Sequence, residues 1–145
     1  MEAKKSGFKF SNPKLVELEY RTLENETSNY DKFEKIETET KVSRPTEKEN
    51  VQNAHSNRAV VALTVKMGDE EEKKYPFHFL ITMKANFFWE ENFSEKIIDN
   101  LLKINAPALL FSYIRPIIAE MTGYGFETLH LPFIDFSKLK NEDTK

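Results

Sequence analysis

The chain has 145 residues, of which 39% are hydrophobic and 31% charged, and its formal net charge is −3. A chain of this length can bury roughly two thirds of its unfolded surface without disulfides, so we expect residues 1–145 to form one domain. The mildly acidic balance argues against a nucleic-acid binder, which normally presents a basic face. Because cysteine is absent, disulfides, thiolate metal sites and cysteine nucleophiles are excluded.

The first ten residues, MEAKKSGFKF, carry positive charges but no apolar segment of the kind that a signal peptide needs. No apolar run reaches the ~18 uncharged residues that a membrane-spanning helix requires. We therefore expect a cytoplasmic protein with no inserted segment.

Residues 1–90 are predicted to form the sheet region, because four stretches there alternate apolar and polar residues. This period of two indicates antiparallel strands with one buried and one solvated face. The predicted inward-facing sets are Val16, Leu18 and Tyr20; Ile36, Thr38, Thr40 and Val42; Ala59, Val61, Leu63, Val65 and Met67; and Phe77, Phe79, Ile81 and Met83. Between the strands, the proline-interrupted segment 43–57 is predicted to be a mobile surface loop, and Gly68 to open a polar hairpin.

Residues 91–139 change to helical periodicity. The stretch NFSEKIIDNLLKI begins with a capping-box-like Asn92–Glu95 spacing, and Ile97, Ile98, Leu101 and Leu102 are predicted to share one face. The next stretch, NAPALLFSYIRPIIAEMTGYG, predicts a long helix that ends at the glycines. Pro116 is expected to bend or break it.

Residues 140–145 form a charged terminus. Strands followed by helices predict an α+β fold, in which a four-stranded antiparallel sheet carries the long C-terminal helix and short flanking helices on one face.

The long helix is apolar on nearly every side, although one sheet face can cover only one side of it. We favour a second copy of the chain as the cover for the remainder, over a thick intramolecular core. The candidate residues for this oligomer interface are Leu109, Leu110, Phe111, Tyr113, Ile114 and Ile117.

Little in the sequence supports catalysis. The histidines are far apart in the sequence, at His55, His78 and His130, and there is no glycine-rich phosphate-binding motif or nucleophile elbow. We therefore expect no enzyme activity, no metal and no cofactor. Aromatic residues are plentiful, with twelve Phe, five Tyr and one Trp. They fill a core or line a groove for an apolar partner, and composition alone leaves both alternatives open.

The stretch NAPALLFSYIRPII resembles the signature helix of the SecB-type protein-export chaperones. Pro107, Leu110, Phe111, Tyr113 and Arg115 stand at the matching positions, while Ser112 replaces the family's proline. The following segment is similar to the family's tail motif at Gly125, Leu129, Leu131, Asp135, Phe136 and Leu139.

This resemblance implies a homotetramer, a dimer of dimers, with the long helices sandwiched between the sheets of neighbouring subunits. It also implies ATP-independent binding of unfolded or precursor polypeptides, with hand-over to the motor ATPase SecA. The groove candidates that follow are Tyr30, Phe33, Phe87, Phe88, Trp89, Phe126, Leu129, Leu131, Phe133 and Phe136.

SecA docking is the weaker expectation. In the family it uses acidic residues on the solvated face of the first and fourth strands. Here Glu17 and Glu19 meet that requirement in the first strand, but the outward positions of the fourth strand hold no carboxylate: His78, Leu80, Thr82 and Lys84. A dedicated chaperone of one client, such as an antitoxin, is therefore an alternative, as are a non-catalytic adaptor that binds one folded partner and a small-ligand binder.

Overall fold

The computed structural model describes residues 2–23, 36–45, 57–68, 76–125 and 127–138. Five antiparallel strands form one sheet: β1 (Phe8–Phe10), β2 (Lys14–Thr22), β3 (Glu37–Ser43), β4 (Arg58–Met67) and β5 (Phe77–Trp89). The helices that follow are α1 (Glu95–Asn100), a π-helical turn (Leu101–Asn105), α2 (Ala106–Gly125) and a 3-10 turn (Phe136–Lys138). Helix α2 packs on β4 and β5, so the predicted α+β architecture is confirmed.

The sheet has one more strand than the sequence predicts, because the edge beside β5 is divided. Strand β1 pairs with Phe87–Trp89, and β2 pairs with the rest of β5. Between them, Pro13 has no N–H to donate, and Ser11 exchanges two hydrogen bonds with the backbone of Asn86 at 2.9 and 3.0 Å. The three residues of β1 are too few to show a period. The order β2–β5–β4–β3 brings the first long strand beside the last, as in a Greek key.

A β-bulge in β2 corrects one prediction. The register shifts between Leu15 and Glu17, so that Leu15, and not Val16, lies opposite the inward-facing Met83. Val16 therefore has no partner in the register and does not join Leu18 and Tyr20 on the inner face, and at this end of β2 Leu15 and Val16 are both about half exposed. The extra residue of a bulge interrupts the period of two on which the prediction depended.

The inner faces of β4 and β5 supply the core, as predicted. All five inward residues of β4 are buried, and so are the four predicted for β5. Strand β5 continues the alternation further than expected, with Ala85, Phe87 and Trp89 also buried. Strand β3 is a sheet edge, so Thr38 and Thr40 are only half-buried and Val42 is exposed.

Helix α1 starts two residues later than predicted. Ser94 is its N-cap, since the Ser94 hydroxyl accepts a hydrogen bond from the N–H of Ile97 at 3.3 Å. Ile98 and Leu102 are buried, whereas Ile97 is exposed, because adjacent residues of a helix point about 100° apart.

Pro116 does not break α2, which is continuous from Ala106 to Gly125. Pro116 has no N–H to donate to the carbonyl of Ser112, and both residues lie on the exposed side of the helix. The helical run Glu95–Gly125 is long and apolar enough to cross a membrane by length and composition alone. The core helix of a soluble protein meets the same criterion, and this one packs on the sheet.

The end of α2 lies against the sheet edge at a position that only glycine fits. A Cβ atom on Gly125 would come within 2.5 Å of Thr22 Cγ2 and 2.8 Å of Tyr20 Oη. Gly68, which begins the β4–β5 connection, has a positive φ of 83°, the backbone conformation that glycine adopts without strain.

Candidate binding surfaces

The inward side of α2 is fully used within the chain. Leu110, Ile114 and Ile118 have no exposed surface, and the ring of Phe111 meets that of Phe136 edge to face at 6.0 Å. Three of the six residues predicted for an oligomer interface, Leu110, Phe111 and Ile114, therefore pack inside the single chain.

The other three lie on the outward side of α2. Leu109 and Ile117 are half-buried, and Tyr113 is 41% exposed, with its ring edge-on to that of Phe10 at 6.4 Å. Together with Tyr124, these residues recur at helical spacing, and we call this group the outer stripe: Leu109, Tyr113, Ile117 and Tyr124.

The outer stripe adjoins a row of small or compact residues at the exposed side of the helix: Ala108, Ser112, Pro116, Ala119 and Gly123. Small side chains allow another backbone to approach closely, so this side can accept a second helix or sheet.

The segment after α2 folds back along the helix, and two polar residues of the helix hold it there. The Arg115 Nε–H donates to the carbonyl of Leu131 at 2.8 Å. The Thr122 hydroxyl donates to the carbonyl of Ile118 at 2.7 Å and accepts the N–H of Leu129 at 2.8 Å. Leu129 and Leu131 are thereby buried.

Phe133 is the most exposed large apolar residue among those described, at 88%. The Arg115 guanidinium lies over its ring, 4.6 Å from the centroid, which is within the range of a cation–π contact. An aromatic ring on a fixed cation is a preformed surface for apolar side chains of a partner.

The structure does not bring the ten predicted groove residues onto one surface. Tyr30, Phe33 and Phe126 lie outside the described residues. Five others are buried in the core of the chain: Phe87, Trp89, Leu129, Leu131 and Phe136. The last two, Phe88 and Phe133, are exposed on different elements, and Phe88 is on the outer face of the sheet.

The physical reason is the direction of each side chain. Alternation along β5 turns Phe87 and Trp89 inward and Phe88 outward. Within residues 127–138 of the tail, the large apolar residues are buried except Phe133 and the half-buried Ile134. The aromatic residues of this region therefore divide between the core, the outer face of the sheet and the folded-back tail.

Glu17 and Glu19 lie on the outer face, opposite Thr82 and Leu80. Glu19 also pairs with Arg21 at 3.0 Å, and its carboxylate lies 3.7 Å from Nε2 of His78. The carbonyl of Gly68 lies 2.5 Å from Nδ1 of His78, which must therefore carry the hydrogen. His78 thus lies at one of the outward positions named for the fourth strand, but these contacts leave it buried.

Two contacts of Arg44 were not predicted because they join residues far apart in the sequence. Arg44, just after β3, lies over the Trp89 ring at 5.3 Å and pairs with Glu95 at 3.1 Å.

In the tail, the Ser137 hydroxyl and N–H donate to the Asp135 carboxylate, which lowers the pKa of Asp135. Within the described part of the chain, no group of three or more metal-ligating side chains is found.

A family model described as preprotein translocase subunit SecB matches residues 20–145. A protein-export protein SecB of Anaplasma marginale is 34% identical over 108 residues, which cover 70% of this chain and 60% of that relative. Another, from Acidithiobacillus ferrooxidans, is 33% identical over 57 residues, covering 39% of this chain and 38% of its own. The chain thus matches about 60% or less of the length of these curated relatives.

Among solved structures, the SecB-like chaperone Rv1957 of Mycobacterium tuberculosis aligns with a TM-score of 0.63 over 88% of both chains, at 14% identity. That structure is a complex with a ChAD peptide from the antitoxin HigA1. At this identity the likeness concerns the fold, and it agrees with the sheet and helix arrangement described above.

Proposed function

Because the chain belongs to the SecB family, we propose that it is an ATP-independent holdase that binds unfolded or precursor polypeptides in the cytoplasm. The single observation that carries this proposal is the exposed apolar ring of Phe133, which the folded chain leaves 88% exposed on an anchored segment. A holdase needs several weak apolar contacts for many clients, and linked contacts raise the avidity. SecB proteins are non-catalytic chaperones, and we propose no enzymatic activity here.

The outer stripe is proposed as the interface of a homotetramer. An exposed apolar helix face beside small residues is suited to a symmetric contact between copies. Leu109, Tyr113 and Ile117 support this role, whereas Leu110, Phe111 and Ile114 act indirectly by holding the helix on its own sheet.

Phe133 and the Arg115 beneath it are proposed as a client contact. Phe133 has no core role, since 88% of its surface is exposed, and the backbone on either side of it is anchored through Leu131 and Phe136. An exposed ring on an anchored segment binds an apolar side chain with little loss of conformational entropy. Phe87, Trp89, Leu129, Leu131 and Phe136 are proposed to support this segment from the core.

The test is light scattering from a chemically unfolded, aggregation-prone protein that is diluted into buffer with or without the purified chain, in the absence of ATP. We expect suppression at about one tetramer per client. The variant Phe133→Ser should need several-fold more chaperone, while Ile97→Ser, which removes an exposed apolar residue of α1, is the matched control. Unimpeded aggregation in the presence of the wild-type chain would contradict the holdase proposal.

Two narrower roles remain proposals. Delivery to SecA is supported by Glu17 and Glu19 on the outer face, although Arg21 already neutralises Glu19. The alternative, a dedicated chaperone of one client, is supported by the peptide complex of the Mycobacterium tuberculosis relative in fold. If the wild-type chain protects a single co-expressed client but suppresses no general aggregation, the dedicated role is the correct one.

A further inference from the structure

The outer face of the sheet, which faces away from the helices, is divided by charge. Two neighbouring rows of side chains cross β2, β5, β4 and β3 in that order. The first row is Glu17–Thr82–Thr64–Glu39, and the second is Glu19–Leu80–Lys66–Glu37. We call the four carboxylates of these rows the acidic half: Glu17, Glu19, Glu37 and Glu39. Lys66 in the same rows and Arg21, which pairs with Glu19 at 3.0 Å, offset part of this negative charge. This half includes the hydroxyl pair of Thr64 and Thr82, 2.7 Å apart.

The opposite end of the same face is basic. One row runs Lys14–Lys84–Ala62–Lys41, and the last row runs Lys9–Phe88–Arg58. We call these five cations the basic half: Lys9, Lys14, Lys41, Arg58 and Lys84. At its border with the acidic half, the Lys41 ammonium already lies 3.8 Å from the Glu39 carboxylate. The chain as a whole has a net charge of −3, so this concentration of positive charge is contrary to the overall balance.

Exposed apolar side chains lie between the cations of the basic half. Phe88 is 40% exposed and Val60 is 37% exposed, and both point to the outer face. Four strands about 4.8 Å apart make this area roughly 15 Å wide, enough for a short peptide segment. At the rim, Glu90 lies against Gly7, just beyond the end of β5.

Lys14 and Lys84 stand directly opposite each other on paired strands. Like charges at such positions destabilise a sheet, so this arrangement costs stability in the free protein. Carboxylates of a partner would remove that repulsion. We propose that the basic half is a docking site for an acidic segment of a protein partner, with Phe88 and Val60 contacting an apolar residue of that segment.

The neighbouring acidic half distinguishes a protein segment from other polyanions. The row of Glu17 and Glu39 lies about 7 Å along the strands from the row of Lys14 and Lys41, which is within a Debye length at physiological salt. A nucleic-acid backbone or an anionic membrane extends beyond the basic half and is repelled there. A short acidic segment, followed by neutral or basic residues, complements both halves.

The site differs from the proposed client surface, because Phe133 lies on the folded-back tail and not on this sheet face. It also differs in sign from the acidic docking that the family resemblance implies. The two proposals can therefore fail independently of each other.

The test is fluorescence anisotropy of a labelled twelve-residue peptide of Glu, Asp and Leu, titrated with the full chain at 50 and 300 mM salt. The variant Lys84→Glu should weaken binding roughly tenfold or more. It should also raise the melting temperature by about 1–3 °C, because it replaces a repulsive cross-strand pair by an attractive one. The matched control Lys66→Glu makes the same charge change on the acidic half and should alter binding less than about twofold.

Three results would overturn the proposal. The first is an absence of wild-type binding at 50 mM salt, and the second is an equal loss in the two variants, which would reflect net charge alone. The third is tighter binding of a single-stranded oligonucleotide, or of vesicles with anionic lipid, than of the acidic peptide. Light scattering with Lys84→Glu should match that of the wild-type chain, so a failed holdase assay leaves this test intact.

Discussion

Both sides of helix α2 carry large apolar or aromatic residues, but the environments of these residues differ, and Ser112 and Glu120 also lie on the exposed side. The inward side, represented by Leu110, Ile114 and Ile118, has no exposed surface. The outward side carries Leu109, Tyr113, Ile117 and Tyr124, of which Tyr124 is 78% exposed. Monomeric soluble proteins rarely leave a contiguous apolar patch of large size on their surface. The comparison indicates that the first side stabilises the fold and the second is available for association.

The two sides also differ in the residues beside them. The inward side meets the large side chains of β4 and β5, while the outward side alternates with small residues such as Ala108 and Ser112. Large residues on the inward side are thus committed to one interior, whereas small residues on the outward side leave space for a partner. Substitutions on the two sides should therefore have different consequences.

The largest loss of stability is expected from a substitution on the inward side. Phe111→Asp buries an unpaired carboxylate against Phe136 and removes an aromatic core contact, at a cost of about 4 kcal/mol or more. That is most of the stability of an ordinary domain, so we expect loss of the circular-dichroism signal of the folded chain. The control Phe111→Leu keeps an apolar side chain and should remain folded. A folded Phe111→Asp protein would mean that this side is not core.

The second prediction concerns the outward side. Tyr113→Asp removes the ring contact with Phe10 but leaves the buried side of the helix unchanged, because the Tyr113 side chain is already 41% exposed. It places a charge in the proposed subunit contact, so we expect a folded protein whose mass falls below four times 17.0 kDa in sedimentation equilibrium. Tyr113→Phe should keep the wild-type mass. A tetramer that survives Tyr113→Asp would remove the outer stripe from the interface.

The sequence predicted the α+β class, the inner faces of β4 and β5, and the long helix, since each depends on a regular period. It did not predict the bulge at Val16, since an alternating pattern does not mark an inserted residue. One inserted residue then reverses the side of every residue that precedes it. For Leu110 and Tyr113, periodicity identified both as apolar helix residues. It could not decide which one its own sheet covers, since that depends on how the helix rotates on the sheet.

The candidate groove stays a prediction, and aromatic content does not specify the direction in which each of its side chains points. Phe87 and Phe88 are adjacent in the sequence but lie on opposite faces of β5. The anchoring of the tail by Arg115 was also beyond a sequence argument, since Arg115 and Leu131 meet only after the chain has reversed. The family motif indicated that Arg115 matters without indicating its contact.

The third prediction concerns Arg115, which lies between the two sides of the helix and holds the tail, and here a smaller loss of stability is expected. Arg115→Ala removes the donor to the Leu131 carbonyl and the cation over Phe133, and should lower the free energy of unfolding by about 1.5–3 kcal/mol. Hydrogen exchange should show faster exchange around Leu129 and Leu131, measured beside urea unfolding. Arg115→Lys keeps the charge without the planar group and should recover only part of the loss. Unchanged exchange in Arg115→Ala would show that apolar burial alone holds the tail.

The smallest effect is expected at the inward contact where the end of α2 meets the sheet. The hydroxyl of Tyr20 is buried beside Gly125 and has no hydrogen-bond partner among the described residues. Burial raises the pKa of Tyr20 above its ordinary value of 10.0. Since the folded state disfavours the phenolate, stability is fully present below pH ~10 and decreases as the pH rises from there through the folded-state pKa.

Tyr20→Phe removes the unpartnered hydroxyl, so we expect unchanged stability at pH 7 or a gain of up to about 1 kcal/mol. The loss of stability at alkaline pH should be smaller than in the wild-type chain, because the variant lacks an ionisable group whose charged form the folded state disfavours. Thermal unfolding at pH 7 and 10.5 measures both effects, with Tyr113→Phe, which should keep the wild-type assembly, as the control at an exposed position. A loss of stability at pH 7 would reveal that the Tyr20 hydroxyl has a partner, and that the helix end is held by a polar contact as well as by close packing.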